Sequence, residues 1–287
     1  MPQYAHLISA NALKIANNPV ILDCRFRLED SDWGYNAFLQ GHIAGAHYVS
    51  LNKDLSGPPG LAGRHPLPNR EKFLRTARSW GITSSRQVVV YDDVGGAMAA
   101  RAWWLLRWIG HAQVAVLDGG LATWSEPLIS GKADPAVRGD LPLKPPLTQT
   151  ITMQSLASRI STKDTPRLID ARSHTRWAGK EEPIDPAAGH IPGALCLPFQ
   201  DNLTPDGHFK SAKTLRLRFS NALTSGKTGD LEHLVDDVVC YCGSGVTATH
   251  NILAMCIAGL REPQLFAESW SGWITDKGRP IKTDTLH

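Results

Sequence analysis

Short runs of apolar residues alternate along this chain with longer stretches whose apolar residues recur at helical spacing. Four runs rich in β-branched residues are typical of buried strands, and they begin at Val20, Val88, Val114 and Val238. Helical spacing marks residues 10–16, 70–80 and 97–109, and the stretch from Thr247 onward, where Ala248, Ile252, Leu253 and Cys256 would share a buried face. Strands that alternate with helices predict an α/β fold, with mainly parallel sheets flanked by helices.

The same pattern occurs twice. An Asp-x-Arg segment ending at Arg25 returns at Arg172, and a Gly-His-Ile-x-Gly-Ala segment beginning at Gly41 returns at Gly189. The run 88–91 matches 238–241, and 117–124 falls where 267–273 does, all at a separation of about 150 residues. We therefore predict two copies of one domain, at 1–124 and 151–287, joined by a linker at 125–150 that is rich in proline, glycine and polar residues.

The most informative stretch follows the run 238–241, where Cys242 opens a Gly-Ser-Gly loop that leads into a predicted helix. Loop N–H groups could converge on the sulfur, and the positive end of the helix dipole would point at it. Both effects favour the thiolate, which is the nucleophilic form of cysteine. Because the two glycines would let a ligand approach closely, we interpret Cys242 as a nucleophile and Cys240 and Cys256 as structural thiols.

Cys240 and Cys242 could also suggest a metal pair. No second Cys or His pair stands at a usable spacing, and alternate residues of a strand share a face without chelating. We therefore predict no metal site.

Composition narrows the function classes. Of the 287 residues, 42% are hydrophobic and 20% charged, which suits about two domains with sizeable cores. The formal net charge of +3 argues against a nucleic-acid partner, and no apolar run is long enough to span a membrane. The five cysteines are scattered and odd in number, and the first residues lack the pattern of a signal peptide. We expect reduced thiols and a cytoplasmic protein.

The first copy differs where this chemistry would occur, since Asp92 stands in the place of Cys242. A carboxylate cannot act as a thiol nucleophile, so we predict that the first domain is catalytically inactive and covers or completes the second domain's site. We interpret Asp92 itself as a loop carboxylate that caps the following helix.

Taken together, these segments resemble the tandem-domain rhodanese family of sulfurtransferases, and most of all its 3-mercaptopyruvate sulfurtransferase branch. The resemblance rests on both Asp-x-Arg strand ends, both Gly-His-Ile-x-Gly-Ala segments and the Cys-Gly-Ser-Gly-Val-Thr loop, and it covers nearly the whole chain. It implies two rhodanese-like domains, of which the second is catalytic. It also implies ping-pong sulfur transfer without a cofactor, in which a Cys242 persulfide passes sulfur to cyanide, a small thiol or a reduced thioredoxin.

The resemblance also assigns residues. Ser244 matches the loop serine of the 3-mercaptopyruvate branch, and His65 falls where the family's histidine does, so the expected catalytic residues are Cys242, Ser244 and His65. The expected substrate-binding residues are Arg176, which would grip a carboxylate, and the loop residues Gly243, Gly245, Val246 and Thr247. Family members that use thiosulfate often have basic residues just after the cysteine, so this loop favours 3-mercaptopyruvate as the donor.

Two departures from the family pattern are visible. The acid of the serine–histidine relay should fall near Asn52, which cannot hold a charge, although Asp54 is close by. A second substrate arginine is expected before Gly189, where residues 181, 182 and 185 are acidic instead, and we expect these carboxylates to repel an anionic donor. Arg172 is interpreted as structural, paired with carboxylates near its strand end.

Three other functions can be weighed against this interpretation. A cysteine-dependent phosphatase would need an arginine six positions after the cysteine, and because that position is Ala248 this function is disfavoured. A thiosulfate sulfurtransferase and a non-catalytic protein sulfur carrier would need the same Cys242, so both stay open as alternatives.

Overall fold

The computed structural model describes residues 4–160, 162, 164–224 and 237–284, and this part of the chain divides into two units. The first unit contains the described residues up to Gly57, together with Leu67–Thr148 and Thr204–Phe209. The second contains Pro58–Pro66, Gln149–Leu203 and the described residues from Lys210 onward.

Most of the predicted linker at 125–150 groups with the first unit, where His42 and Ile129 form an antiparallel bridge. Segment 58–66, which falls in the predicted first domain, groups with the second unit. The linear boundaries at 124 and 151 stay a prediction.

A five-stranded parallel sheet forms the centre of the first unit. Its strands are β1 (Leu7–Ile8), β2 (Val20–Asp23), β3 (Ala46–Tyr48), β4 (Val88–Tyr91) and β5 (Val114–Leu117), in the order β1-β5-β4-β2-β3. Its helices are α1 (Ala10–Lys14), α2 (Trp33–Gln40), α3 (Arg70–Ser79) and α4 (Ala99–Trp108), with a 3-10 turn at Gly120–Thr123. Every residue of β2, β4 and β5 is buried, as expected for parallel strands that are covered on both faces.

A four-stranded parallel sheet forms the centre of the second unit. Its strands are β6 (Arg167–Asp170), β7 (Leu195–Cys196), β8 (Val238–Tyr241) and β9 (Gln264–Leu265), in the order β7-β6-β8-β9. Its described helices are α5 (Met153–Arg159), α6 (His174–Trp177), α7 (Ala212–Thr224), α8 (Ala248–Ile257) and α9 (Ser269–Trp273), with a 3-10 turn at Phe199–Asn202. The predicted α/β class with parallel sheets is therefore confirmed in both units.

Local sequence explains why the predicted helices form where they do. The helix α3 begins after Asn69, whose side-chain oxygen accepts the N–H of Lys72 at 2.9 Å, and it buries Phe73, Leu74 and Ala77 along one face. The helix α8 buries its first eight residues, because it packs behind the strand that leads to Cys242. No helix in the described ranges is long and apolar enough to cross a membrane.

The repeated Asp-x-Arg segment links a strand end of each sheet to the Gly-His-Ile segment of the same unit. In the second unit, Arg172 donates from Nε and Nη2 to the carboxylate of Asp170 at 3.1 and 2.7 Å, and its Nη2 also donates to Gly189 O at 2.6 Å. In the first unit Arg25 makes the equivalent contacts, with the carboxylate of Asp23 and with Gly41 O. The structural interpretation of Arg172 is confirmed, since its guanidinium is buried and joins the end of β6 to the Gly-His-Ile segment before β7.

Candidate active site

Cys242 lies directly after β8, at the carboxyl edge of the second sheet. Along the chain, β7 is added to one side of β6 and β8 to the other, so Cys242 stands at the point where the strand order reverses. Ligands of parallel sheets bind at such a point. The cysteine is 2% exposed, and its Sγ accepts the N–H of Gly245 at 3.2 Å. The loop thus holds the sulfur with a backbone donor, as its sequence predicted.

The glycine that supplies this donor is required by the backbone. Gly245 has φ +77°, and a Cβ built there would lie 2.3 Å from Ala267 O. A side chain at this position would combine a left-handed backbone with a steric clash. Gly245 therefore holds the loop in the conformation that brings its N–H to the sulfur.

The helix α9 supports the loop from its other side. Trp270 N–H donates to Cys242 O at 3.0 Å, and Ser271 N–H donates to Gly243 O at 2.9 Å. The hydroxyl of Ser269 accepts the N–H of Cys242 at 3.1 Å and donates to Phe266 O at 2.9 Å. These bonds fix the loop backbone, so the sulfur keeps one position relative to its neighbours.

Ser244 and His65 meet within the second unit. The Nδ1 of His65 lies 2.8 Å from the Oγ of Ser244, and both side chains are buried. His65 reaches the loop because segment 58–66 packs with this unit, where Arg64 N–H donates to Ser271 Oγ at 3.1 Å. The structure therefore brings Ser244 and His65 into contact on the loop that begins at Cys242. Their catalytic roles stay a prediction.

Arg176, at the end of the short helix α6, faces carboxylates. Its Nε and Nη2 donate to the two oxygens of Glu182 at 3.2 and 2.7 Å, and Nη2 also lies 3.2 Å from Asp185 Oδ2. The other oxygen of Asp185 pairs with Nη1 of Arg64. Both carboxylates are nearly fully buried. For Glu182 and Asp185 the expected repulsion of an anionic donor is therefore wrong, because each of these two charges is paired with a guanidinium.

These contacts also shift the pKa values of the two acids. Burial acts to raise the pKa of Glu182, but the Arg176 guanidinium and backbone N–H groups hold that pKa below its ordinary value. Burial raises the pKa of Asp185, and the positive charge of Arg64 opposes this shift. Residue 181, the third acidic position noted in the sequence, is exposed.

The two guanidinium groups lie beside Gly243. A Cβ built at that glycine would be 3.0 Å from Arg64 Nη2 and 3.5 Å from Arg176 Nη1. Gly243 therefore lies against two cations, one position after Cys242, and a side chain there would crowd them. Sequence reasoning missed Arg64, although its position beside His65 in the Gly-Arg-His-Pro segment was an available signal.

The remaining predicted loop residues are also placed. Val246 is buried and Thr247 is partly exposed just before α8. The Oγ1 of Thr249 donates to Val246 O at 2.6 Å, which joins the end of the loop to the helix. Substrate contacts of Val246 and Thr247 stay a prediction.

The candidate acids of the relay lie in the first unit. The side chain of Asn52 is exposed. The carboxylate of Asp54 accepts the N–H of Ser50 at 2.8 Å, and burial raises its pKa. Asp54 thus closes a turn of its own loop, and the assignment of either residue to the relay stays a prediction.

Asp92 shows what the equivalent loop does in the first unit. Its carboxylate is buried and accepts four backbone N–H groups, from Val94, Gly96, Met98 and Ala99, at 2.8 to 2.9 Å. Burial raises the pKa of this carboxyl, against the pull of the four donors. The interpretation of Asp92 as a cap is confirmed, since the first loop directs its amides at its own side chain.

The other thiols of the second unit are less suited to chemistry. Cys240 is fully buried, and burial raises the pKa of its thiol. Cys256 lies on α8 and is partly exposed. Within the described ranges, no group of three or more His, Cys, Asp or Glu side chains is arranged to hold a metal ion.

Known proteins resemble this chain over most of its length. The sequence model of the rhodanese-like domain matches the chain twice, at residues 9–127 and 152–276. A protein of Pseudomonas aeruginosa named "Probable 3-mercaptopyruvate sulfurtransferase" is 46% identical over 269 residues, which are 92% of each chain. A Mycobacterium tuberculosis protein named "Putative thiosulfate sulfurtransferase SseB" is 39% identical over 282 residues, covering 94% of this chain and 93% of that protein.

A solved structure shows the same fold. The crystal structure of SseA from Escherichia coli, titled as that of a 3-mercaptopyruvate sulfotransferase, superposes with a TM-score of 0.75 at 28% identity and covers 93% of this chain and 100% of its own. Two domain matches spanning most of the chain, together with relatives that match nearly its whole length, establish that it belongs to the tandem-domain rhodanese family of sulfurtransferases.

Proposed function

We propose that this chain transfers a sulfane sulfur from 3-mercaptopyruvate to a thiol acceptor through a persulfide on Cys242. The observation that carries the proposal is the Cys242 loop, where the sulfur accepts the Gly245 N–H at 3.2 Å and Ser244 of the same loop contacts His65. The relative named as a 3-mercaptopyruvate sulfurtransferase supports this choice of donor.

In the first half-reaction, the Cys242 thiolate attacks the sulfur of 3-mercaptopyruvate. A sulfur–sulfur bond forms while the carbon–sulfur bond of the donor breaks, and the electron pair of that bond leaves with the carbon as pyruvate enolate. The enolate takes a proton to become pyruvate, and the enzyme keeps the outer sulfur as Cys242–S–SH. Loop N–H groups such as that of Gly245 would stabilise the negative charge on either sulfur.

The proton for the enolate has a source beside the cysteine. The Ser244 hydroxyl and the His65 imidazole are 2.8 Å apart and could pass a proton between solvent and the departing carbon. A thiosulfate donor would not need this step, because sulfite leaves as a stable anion. The Ser244–His65 pair therefore favours a donor whose leaving group departs as a carbanion equivalent, as pyruvate enolate does.

In the second half-reaction, an acceptor thiolate attacks the outer sulfur of the persulfide. The sulfur–sulfur bond breaks, the acceptor becomes a persulfide, and Cys242 returns as a thiolate. A small thiol or a reduced thioredoxin would suit this step. The cytoplasmic location, where such thiols are kept reduced, is part of the proposal.

The alternative donor is thiosulfate, which the name of the Mycobacterium tuberculosis relative favours. The charges around the loop favour 3-mercaptopyruvate. The guanidinium groups of Arg64, Arg172 and Arg176 are matched by three paired carboxylates, those of Asp170, Glu182 and Asp185. A balanced cluster suits a donor with one carboxylate better than a dianion, and position 243 carries no side chain that could add a charge.

The test compares kcat/KM for 3-mercaptopyruvate and thiosulfate with one thiol acceptor, in the wild type and in Cys242→Ser. Cys240→Ala is the matched control, because it changes a buried thiol two positions earlier in the chain. We expect a preference for 3-mercaptopyruvate, loss of all transfer in Cys242→Ser and retention in Cys240→Ala. After incubation with the donor, the intact mass should show one added sulfur atom in the wild type and in Cys240→Ala, and none in Cys242→Ser.

Each other result points to a different function. A preference for thiosulfate would assign the alternative donor. Persulfide formation without turnover would identify a sulfur carrier. Transfer that survives in Cys242→Ser would contradict the mechanism altogether.

A further inference from the structure

We propose that Arg64 binds the carboxylate of the donor together with Arg176, and so supplies the second arginine that the family pattern would place before Gly189; this inference rests on the proposed function. Arg64 lies on segment 58–66, well away in sequence from the position where the second arginine was expected.

Arg64 has unused hydrogen-bonding capacity. Its Nη1 pairs with Asp185 Oδ1. Its Nε is buried and lacks a hydrogen-bond partner, and its Nη2 makes no hydrogen bond to any residue that the structure describes. Nε and Nη2 form one edge of the guanidinium, the edge that receives a carboxylate in side-on pairs such as Arg172 with Asp170. A buried donor without a partner is costly, so a ligand at this edge would remove a penalty.

Arg176 is also only partly paired. Its Nε and Nη2 edge is occupied by Glu182. Its Nη1 forms no hydrogen bond within the described part of the chain. Arg176 therefore retains donors on Nη1 alone, and one such nitrogen cannot hold a planar carboxylate in a single orientation.

The unused nitrogens of the two arginines converge. Nη2 of Arg64 and Nη1 of Arg176 lie 3.0 and 3.5 Å from the Cβ position of Gly243. Both nitrogens therefore lie against the same glycine, one position after Cys242. A carboxylate with one oxygen on each arginine would set the attached carbon chain, and its sulfur, over the loop.

The protein also fixes both arginines in place. Asp185 bridges them, with one oxygen on each guanidinium. The segment that carries Arg64 is held against the second unit. Gly63, with φ +97°, packs so closely on the Glu268 carbonyl that a Cβ there would lie 2.7 Å from its oxygen, and the Arg64 N–H donates to Ser271 Oγ at 3.1 Å. Asp185 is thus a positioning residue, and the acidic stretch holds the arginines that bind the donor.

The experiment measures steady-state kinetics with two donors in Arg64→Gln. One donor is 3-mercaptopyruvate, and the other is mercaptoacetone, which has the same carbon–sulfur bond to break but carries a methyl group in place of the carboxylate. Arg159→Gln is the matched control, because Arg159 is about equally exposed and also pairs with an aspartate, Asp237, but lies at the amino end of the sheet.

We expect Arg64→Gln to lower kcat/KM for 3-mercaptopyruvate roughly 10- to 100-fold, mainly through KM, as for the loss of a charge-assisted hydrogen bond. Turnover of mercaptoacetone should stay within about 2-fold of the wild type, which also shows that the site is intact. Arg64→Lys should recover only part of the loss, since an ammonium lacks the planar edge. Arg159→Gln should change neither donor.

Equal losses with both donors, or no loss with 3-mercaptopyruvate, would overturn the assignment of Arg64. If the wild type turns over neither donor, the proposed function fails, and Arg64 is then tested by binding alone. Pyruvate carries the same carboxylate, so it should slow alkylation of Cys242 less in Arg64→Gln than in Arg159→Gln. Equal protection in the two variants would reject the inference.

Discussion

Replacing Gly245 by alanine should damage the cysteine loop far more than the same replacement at Gly259. Both glycines belong to the second unit and have positive φ, +77° at Gly245 and +67° at Gly259. An L-residue in this left-handed region costs about 1–2 kcal/mol, so both variants share that cost. They differ in space, because a Cβ at Gly259 meets no atom within 4 Å whereas one at Gly245 lies 2.3 Å from Ala267 O.

The size of the extra damage follows from that distance. Carbon and oxygen atoms that do not bond prefer separations of roughly 3.5 Å, so one backbone segment must move by about 1 Å. Overpacking of this kind typically costs about 1–3 kcal/mol beyond the shared backbone strain. The Gly245 N–H would leave the Cys242 sulfur, which it now meets at 3.2 Å. A displacement of about 1 Å at a reacting group can lower the rate roughly 100-fold.

The assay combines thermal unfolding with kcat/KM for 3-mercaptopyruvate and with the rate of persulfide formation. We expect Gly245→Ala to lose both stability and about two orders of magnitude in kcat/KM, whereas Gly259→Ala loses about 1 kcal/mol of stability and keeps its activity. Equal stability of the two variants would show that the loop absorbs the methyl group. Full activity in Gly245→Ala would refute the role of its N–H at the sulfur.

Three further predictions follow from named contacts. Asp92→Ala leaves four N–H groups without their acceptor, two of them in buried hydrogen bonds, and should lower the free energy of unfolding by about 3 kcal/mol; Asp93→Ala, which removes an exposed ion pair, should cost under about 1 kcal/mol by denaturant unfolding. Ser244→Ala should lower kcat for 3-mercaptopyruvate by roughly 10- to 100-fold and leave thiosulfate kinetics nearly unchanged, and an equal loss with both donors would contradict the proton relay with His65. Burial lowers the pKa of His111 to about 4, so the unfolded chain binds this proton at a higher pH than the folded chain, and the folded state should lose roughly 3 kcal/mol as pH falls from 6.5 to 4. His111→Gln should remove that part of the pH dependence in unfolding experiments, and an unchanged dependence would reject the assignment.

Local sequence determined the elements and the chemistry that each could offer. The β-branched runs at Val88 and Val238 specify strands, because a run buried on both faces leaves a continuous apolar signal. The cap by Asp92 and the pairing of Arg172 with Asp170 were also predictable, since each joins residues within a few positions of one another. Cys242 was identifiable because its glycine loop lies between a strand and a helix in the sequence itself.

Neither the short strand β3 nor the helix α2 was predicted. The strand has three residues and the helix has a weakly segregated apolar face, so neither leaves a clear period in the sequence. The predicted linker likewise gave no sign that most of it would pack with the first unit, because many of its contacts use backbone groups, such as the hydrogen bonds that join Ile129 and His42. Backbone pairing of irregular segments does not depend on a side-chain pattern.

The tertiary structure alone decided which side chains share the site. His65 and Ser244 are 179 residues apart, and their contact depends on segment 58–66 folding onto the second unit. The acidic residues before Gly189 looked repulsive in sequence, but Glu182 and Asp185 hold Arg176 and Arg64 instead. The physical reason is that periodicity and turn chemistry describe neighbours along the chain. A pairing of distant charges depends on how loops are fixed in space, and only the folded backbone sets that geometry.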